Sequence, residues 1–324
     1  AVGELYDVGD FSRLLDRAIG EADIAGFEDR RAGSFAQGRL RGLGVCYYIE
    51  SILGAPDETA TIELTEDGGA KVYVGTQSNG QGHETVYAQL LHDQTGLPLE
   101  KIEIVQGDSD LIKSGGGTGG SRSVTVQGLA MRVAGDALIG GLTEFLAGEM
   151  EDRDVSFDAE EGVFRSPGSN VVVTLAEAAE KARAAGRAEL TKVTKHEKLP
   201  GRSYPNGCHV AEVEIDRETG ETRVVKYTVV DDLGNLMNPM LAEGQVHGGV
   251  AQGIGQRIGA WAIAHRCSDQ EFLAPDAGKN TVLRNMAFHP FGQLPQDHIT
   301  RTMAKAIIHG FEMINIKDYD HKHG

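Results

Sequence analysis

Two glycine-punctuated segments constrain this chain most: Gly75-Thr76-Gln77-Ser78-Asn79-Gly80-Gln81-Gly82-His83-Glu84-Thr85 and Gly115-Gly116-Gly117-Thr118-Gly119-Gly120-Ser121-Arg122-Ser123. Each lies between a strand-like run and a long helical run. A strand that hands over to a helix through glycine turns bare backbone N–H groups, and the positive end of the helix dipole, toward whatever lies in front. The chain is therefore expected to hold an anionic or strongly polar ligand there. It is not a nucleotide loop of the GxxxxGK[ST] kind, because the lysine is missing.

The flanks read as follows. Residues 59–65 and 71–76 alternate apolar and polar side chains around Asp67-Gly68-Gly69, which predicts a hairpin. Residues 81–94 carry Val86, Tyr87, Leu90 and Leu91 at helical spacing, and Ile102, Ile104 and Val105 predict a short strand. Beyond the second segment, Val126, Leu129, Ala130, Val133, Ala134, Ala137, Leu138, Leu142 and Phe145 keep a helical rhythm through some five turns. A second hairpin, 210–216 with 222–231, turns at Glu218-Thr219-Gly220, and a helix is expected over 240–256. Phe11, Leu14, Leu15 and Ile19 give a helix near the start. Antiparallel hairpins dominate, so the expected class is α+β, with mixed, largely antiparallel sheets and packed helices.

A chain of 324 residues with 40% hydrophobic content can build a sizeable core. Acidic residues outnumber basic ones 48 to 31, a formal charge of −17 with no Lys/Arg cluster, which disfavours nucleic-acid or anionic-membrane binding. With no apolar run near the ~20 residues a bilayer needs, a soluble, cytoplasmic protein is expected. Cys46, Cys208 and Cys267 stand far apart without a CxxC pair, which favours plain thiols over a disulfide framework or a zinc or iron–sulfur site. The opening Ala1-Val2-Gly3-Glu4 has no initiator Met, so the chain is expected to be cut from something longer.

In the first segment, Gln81 and His83 fall where a helix begins, while Gly80 and Gly82 allow another molecule to approach the main chain. A carboxamide donates and accepts at once, which suits a polar ligand atom of constant charge. The bland alternative is a helix start whose glycines only turn the chain. In the second segment, Ser121 and Ser123 cap a helix or bind phosphate, and Arg122 is placed for a charge-assisted contact to the same anion. An ordinary flexible loop before a capped helix is the alternative there. A third stretch, 241–255, carries Gly244, Gly248, Gly249 and Gly253 inside a helical pattern, each costing ~1 kcal/mol against alanine. Either a ligand approaches that backbone, with Gln245 and His247 facing it, or the helix packs tightly on its own sheet.

Gly-Gln-Gly-His-Glu-Thr at 80–85, Gly107-Asp108-Ser109-Asp110, Gly117-Thr118-Gly119-Gly120-Ser121-Arg122-Ser123 and Gly244-Gln245-Val246-His247-Gly248-Gly249 occur in this order and spacing. Together, over roughly 1–256, they resemble the molybdenum-cofactor-binding large subunit of the xanthine dehydrogenase / aldehyde oxidase / aerobic carbon monoxide dehydrogenase family. Tyr6-Asp7-Val8-Gly9-Asp10-Phe11 and Asp231-Asp232-Leu233-Gly234-Asn235 with Asn238-Pro239 fit it too. The resemblance implies molybdopterin, in bacterial members often carried as a cytosine dinucleotide, with the molybdenum held through the pterin and by no protein side chain. Gln81, Gly82 and His83 match the family's first cofactor loop. Gly119, Gly120, Ser121, Arg122 and Ser123 match the loop passing beneath the metal, and Gln245, His247 and Gly248 match a third contact. It further implies a small-molecule substrate, either an aldehyde or N-heterocycle gaining a water-derived oxygen or CO undergoing oxidation. FAD and 2Fe–2S clusters would sit on partner subunits of a hetero-oligomer.

Departures accompany the match. The family's general base, a Glu in a Gly-x-Gly-Glu segment near the C-terminus, has no counterpart in 257–324, so no catalytic residue is assigned. That stretch reads as a divergent tail, and the upstream half of the family's subunit is also missing, as in a truncated or re-ended gene product. The expected division is a cofactor-binding region over 1–256 and a tail of unassigned fold over 257–324. The expected function is the molybdopterin-binding portion of such an oxidoreductase, inactive alone; the alternative is a non-catalytic binding or assembly module that keeps the fold.

Overall fold

The computed structural model describes residues 5–266, apart from 7–8, 53, 152–153 and 168–169. In chain order, α1 (Phe11–Glu21), α2 (Phe27–Ala36) and β1 (Arg39–Ile49) precede β2 (Asp57–Leu64), β3 (Ala70–Val74), α3 (His83–Thr95) and β4 (Ile102–Val105). There follow α4 (Gly128–Glu149), β5 (Ser156–Asp158), β6 (Val163–Arg165), β7 (Val172–Thr174), α5 (Leu175–Ala184) and β8 (Lys192–Lys198). The last elements are β9 (Asn206–Asp216), β10 (Thr222–Asp232) and α6 (Pro239–Arg266). Two compact units emerge: the first built mainly on Ile49–Asn206 with Asp232–Ala242, the second on Asp10–Tyr48, Gly207–Asp231 and the run from Glu243.

The first unit centres on a four-stranded sheet of order β4-β3-β2-β8. Strict alternation puts Ala60, Ile62 and Leu64 of β2 and Ala70, Val72 and Val74 of β3 on the buried face, with Ile62 opposite Val72 in the ladder. The β2–β3 hairpin closes as the sequence predicts: Thr65 N–H donates to Gly69 O, and Gly68 adopts φ 78°. On that face lies α4, whose Ala130, Met131, Ala134, Leu138, Leu142 and Leu146 form one fully buried stripe. Burying each such leucine is worth ~1.5–3 kcal/mol, so this helix carries much of the unit's stability. The small antiparallel sheet β5-β6-β7 and α5, started by a Thr174–Glu177 capping box, extend the same core through Phe164, Ala178 and Ala182.

One pairing departs from the hairpin rule, and it matters for the site. β3 and β4 run parallel, with Val72 opposite Ile104, and α3 makes the crossover that parallel neighbours require. Both glycine segments therefore leave the carboxyl ends of adjacent parallel strands, the first between β3 and α3, the second between β4 and the start of α4. Open α/β sheets place ligands at that edge.

In the second unit, β1, β9 and β10 form a three-stranded sheet, and the predicted 216–221 turn closes with Asp216 N–H donating to Glu221 O. Ala18 of α1 and Ala22, just past its end, pack against Cys208 and Val210. Cys46 is exposed and Cys208 buried, both as free thiols. α6 runs past position 256 to Arg266. Cys267, the irregular 288–295 run, the weak helical rhythm of 303–314, and His321 and His323 lie outside the described residues. Among the described residues no helix is long and apolar enough to cross a membrane, and no cluster of three or more His, Cys, Asp or Glu could hold a metal ion.

Candidate functional site

The two glycine segments of the first unit lie side by side. Gly117 N–H donates to Gly75 O at 3.3 Å, and a Cβ on either Gly75 or Gly115 would come within 2.4–2.5 Å of the other's main chain. Only glycine permits that approach. Thr118 fastens the pair further, its hydroxyl accepting from Gln77 N–H at 2.9 Å and donating to Gln77 O at 2.6 Å. Behind them, the Tyr87 hydroxyl joins the Thr76 hydroxyl at 2.8 Å and donates to Ser123 O at 3.1 Å. Gln127, fully buried, accepts from Gly75 N–H and donates to Thr59 O, both at 3.0 Å. The buried polar groups are thus spent on holding the segments in place.

Outward, the segments present main chain. Gly80, Gly117 and Gly119 would each meet nothing within 4 Å if a Cβ were added. Gly120 and Ser121 take left-handed φ values of 69° and 58°, and the serine is strained by it, as residues at functional sites often are. Neither α3 nor the π-helical turn Ser123–Gln127 that precedes α4 has a capping side-chain hydrogen bond, in contrast to α1 and α5, which are capped by Asp10 and Thr174. Their first-turn N–H groups are thus without a capping side chain.

Gln81 and His83 are linked in a way that fixes both. Gln81 Oε1 accepts from Asn79 N–H, a group that can only donate, so Gln81 Nε2 faces His83 Nε2 at 3.0 Å. Nε2 of the imidazole is then the acceptor and the ring proton sits on Nδ1. His83 is only 1% exposed, and its Nδ1 has no hydrogen-bond partner. Burial pushes its pKa down, with Glu84 and Gln106 opposing, so the neutral ring is favoured. A buried donor without an acceptor, beside open backbone and an uncapped helix start, fits a polar ligand with acceptor atoms such as a phosphorylated pterin.

The structure corrects one expected contact. Arg122 does not face outward toward an anion; it is 2% exposed, and its guanidinium donates to Ala55 O, Asp57 O, Gly117 O and the Glu58 carboxylate. The loop winds so that the side chain turns inward, leaving backbone and the Ser121 and Ser123 positions as the outward face. Ser121 Oγ itself donates to Glu50. Glu58 and Gln127 escaped the sequence reading. Glu58 had a signal, since it shares the inward parity of Ala60, Ile62 and Leu64.

Gln245, His247 and Gly248 lie on α6 in the second unit, where His247 Nε2 is 3.7 Å from Glu243 Oε1 one turn back. Gly244, Gly248, Gly249 and Gly253 would meet nothing within 4 Å through a Cβ, so tight packing on described neighbours is not what requires them. Back in the first unit, a cavity of about 340 Å³ lies along α3 and the start of α4, lined by Val86, Leu90, Val124, Leu129 and Met237 among others. Its walls are mostly apolar and include none of the expected ligand residues.

The family model described as "Molybdopterin cofactor-binding domain" matches residues 18–259. The carbon monoxide dehydrogenase large chain of Hydrogenophaga pseudoflava is 30% identical over 272 residues, covering 78% of this chain and 34% of its own length. The nicotine 6-hydroxylase large subunit of Paenarthrobacter nicotinovorans is 31% identical, over 79% of this chain and 34% of its own. Among solved structures, a Cu,Mo-CO dehydrogenase superposes with a TM-score of 0.65 at 28% identity, over 76% of this chain and 34% of that one. Quinoline 2-oxidoreductase from Pseudomonas putida 86 gives 0.63 at 29%, with the same coverage. The chain spans about a third of the length of the curated relatives it matches.

Proposed function

We propose that this chain, which belongs to the molybdopterin cofactor-binding domain family, supplies part of the surface that holds a molybdenum-bearing pterin in an oxidoreductase. The observation that carries the reading is the pair of glycine segments locked side by side at the carboxyl ends of β3 and β4, with the buried His83 Nδ1–H left without an acceptor. When bound, the group would supply two-electron redox chemistry that no side chain of the chain can.

The chain's own part is holding and orienting. Gly80, Gly117 and Gly119 admit the ligand close to the main chain, Gly82, whose added Cβ would meet Leu241 at 2.7 Å, turns the chain into α3, and the first N–H groups of α3 meet the ligand's negative charge. Gln81, oriented by Asn79, keeps His83 in the tautomer whose Nδ1–H donates to the ligand. The Gly119–Ser123 backbone provides the second wall. On sequence alone, the same reading assigns Gln245, His247 and Gly248 of α6 to cofactor contact, and 1–256 to the cofactor-binding region. The substrate class, aldehyde, N-heterocycle or CO, and partner subunits bearing FAD and 2Fe–2S clusters within a hetero-oligomer follow the family pattern, as does the cytosine dinucleotide form.

The test is direct. The full chain is purified from a host that makes molybdopterin and, separately, incubated with pterin released from another molybdenum enzyme; bound pterin is read by fluorescence after oxidation and molybdenum by elemental analysis. The parent should retain both, and Gln81→Ala should lose most of them while keeping its helical circular dichroism, because only hydrogen bonds at the cradle are removed. Absence of pterin and molybdenum from both parent preparations overturns the assignment.

A further inference from the structure

We propose that Glu58 and Arg122 form a buried clamp that sets the path of the 115–120 backbone, so that Arg122 positions the loop for the ligand without touching it. The proposal rests on the cradle reading above and deepens it, since it names what shapes the second wall. Both residues are 2% exposed, and the closest atoms of their side chains are 2.8 Å apart. Taking a carboxylate and a guanidinium out of water is expensive, and a well-packed apolar pair of similar volume is often as stable or more so. Bulk stability therefore gives no reason to bury this pair.

Its hydrogen bonds give one. Glu58 Oε1 accepts from Gly116 N–H at 2.6 Å as well as from Arg122, while Oε2 accepts from Thr59 N–H at 3.0 Å. Arg122 donates to Gly117 O at 2.7 Å, Asp57 O at 2.7 Å and Ala55 O at 2.9 Å. The pair thus grips the loop at Gly116 N–H and at Gly117 O, fixing the peptide between them, and anchors that grip to the β2 strand and the residues before it. The guanidinium sits against Gly116, where a Cβ would approach its nitrogens to 2.6 Å. Four of the five N–H donors a guanidinium carries are committed to these partners. The fork geometry needed to reach three carbonyls and a carboxylate at once is peculiar to arginine.

Two variants of the full chain test this by amide hydrogen exchange across 113–122 without cofactor, by melting temperature and by retained pterin. The double variant Glu58→Leu/Arg122→Met removes both charges; its melting temperature should stay within about 5 °C of the parent. Exchange at 115–118 should nevertheless rise about tenfold or more, with pterin falling below about half. Arg122→Lys keeps the charge but not the fork, and should show the same faster exchange and pterin loss; it decides the matter if the double variant fails to fold. A merely structural ion pair would instead give parental exchange and pterin wherever stability is restored, and that result overturns the clamp. So does fast exchange with undiminished pterin. A parent that holds no pterin sinks the cradle reading and the ligand half of the proposal, while the exchange arm still decides whether the pair shapes the loop.

Discussion

In the second unit, the buried carboxylates of β9 sit in a ladder of charges. Glu212 receives Arg30 of α2 and Arg41 of β1, both at 2.7 Å, and Glu214 receives Arg41, Arg39 and the Ser34 hydroxyl. In the first unit, Glu58 has one arginine, and the remaining hydrogen bonds of that pair end on main chain. The ladder joins elements to one another; the pair shapes a loop. Buried charge is thus used for assembly in one place and for contour in the other, and substitution should separate the two uses.

The ladder should break hardest. Glu212→Ala opens a buried void and leaves Arg30 with only Asp23 and Arg41 with only Glu214 as counter-charge, so the loss should approach, without reaching, the ~3–5 kcal/mol that follows when a buried charge loses its sole partner. Urea unfolding should show that loss with the second unit's signals, while amide exchange at 115–118 of the first unit stays parental. A loss under 1 kcal/mol would mean the ladder is ornamental and the contrast false.

This contrast also marks what the sequence discloses. α4 and the β2–β3 hairpin were legible because Ala130, Ala134, Leu138 and Leu142, or Ile62 and Val72, repeat with the period of their own element, and the Gly68 and Gly220 turns are local. The parallel β3–β4 pair was not, because strand direction in a sheet depends on a partner thirty residues away. Within the site, Gln81 and His83 could be named from their place at a helix start. Arg122 could be named but not aimed, since the inward turn of its side chain depends on the loop's path over β2. Glu58 was one parity count from being noticed: a carboxylate in line with Ala60, Ile62 and Leu64 demands a buried partner.

Acid should distinguish the units next. Glu212 is raised by burial but lowered more by Arg30 and Arg41, and Glu214 is lowered by Ser34 and the arginines against its burial. Both end below the usual 4.5, so their stabilisation is present above that pH and is lost as pH falls through the lower folded values. His83 is lowered by burial from 6.5, so the unfolded chain binds its proton first and the first unit loses stability as pH drops below about 6.5. Protonation also makes His83 Nε2 a donor facing the Gln81 amide donor. Stability measured between pH 7 and 5 should therefore fall in the parent and fall less in His83→Asn, while the ladder acts only at lower pH. Identical slopes in the two proteins would remove His83 as a strained neutral group.

The finest test concerns two glycines of one segment. Gly115 faces Gly75 main chain at a distance no Cβ tolerates, so it is kept for the fold. Gly119 has an ordinary backbone conformation and nothing within 4 Å of an added Cβ, so the chain itself gives no reason to keep it. Gly119→Ala should therefore leave unfolding free energy within about 0.5 kcal/mol of the parent, as for surface positions generally. If a ligand lies against that backbone, the same methyl stands in its way and retained pterin should drop. Unchanged stability with unchanged pterin would mean that this wall of the cradle faces water, and the site would have to be redrawn around Gln81 and His83 alone.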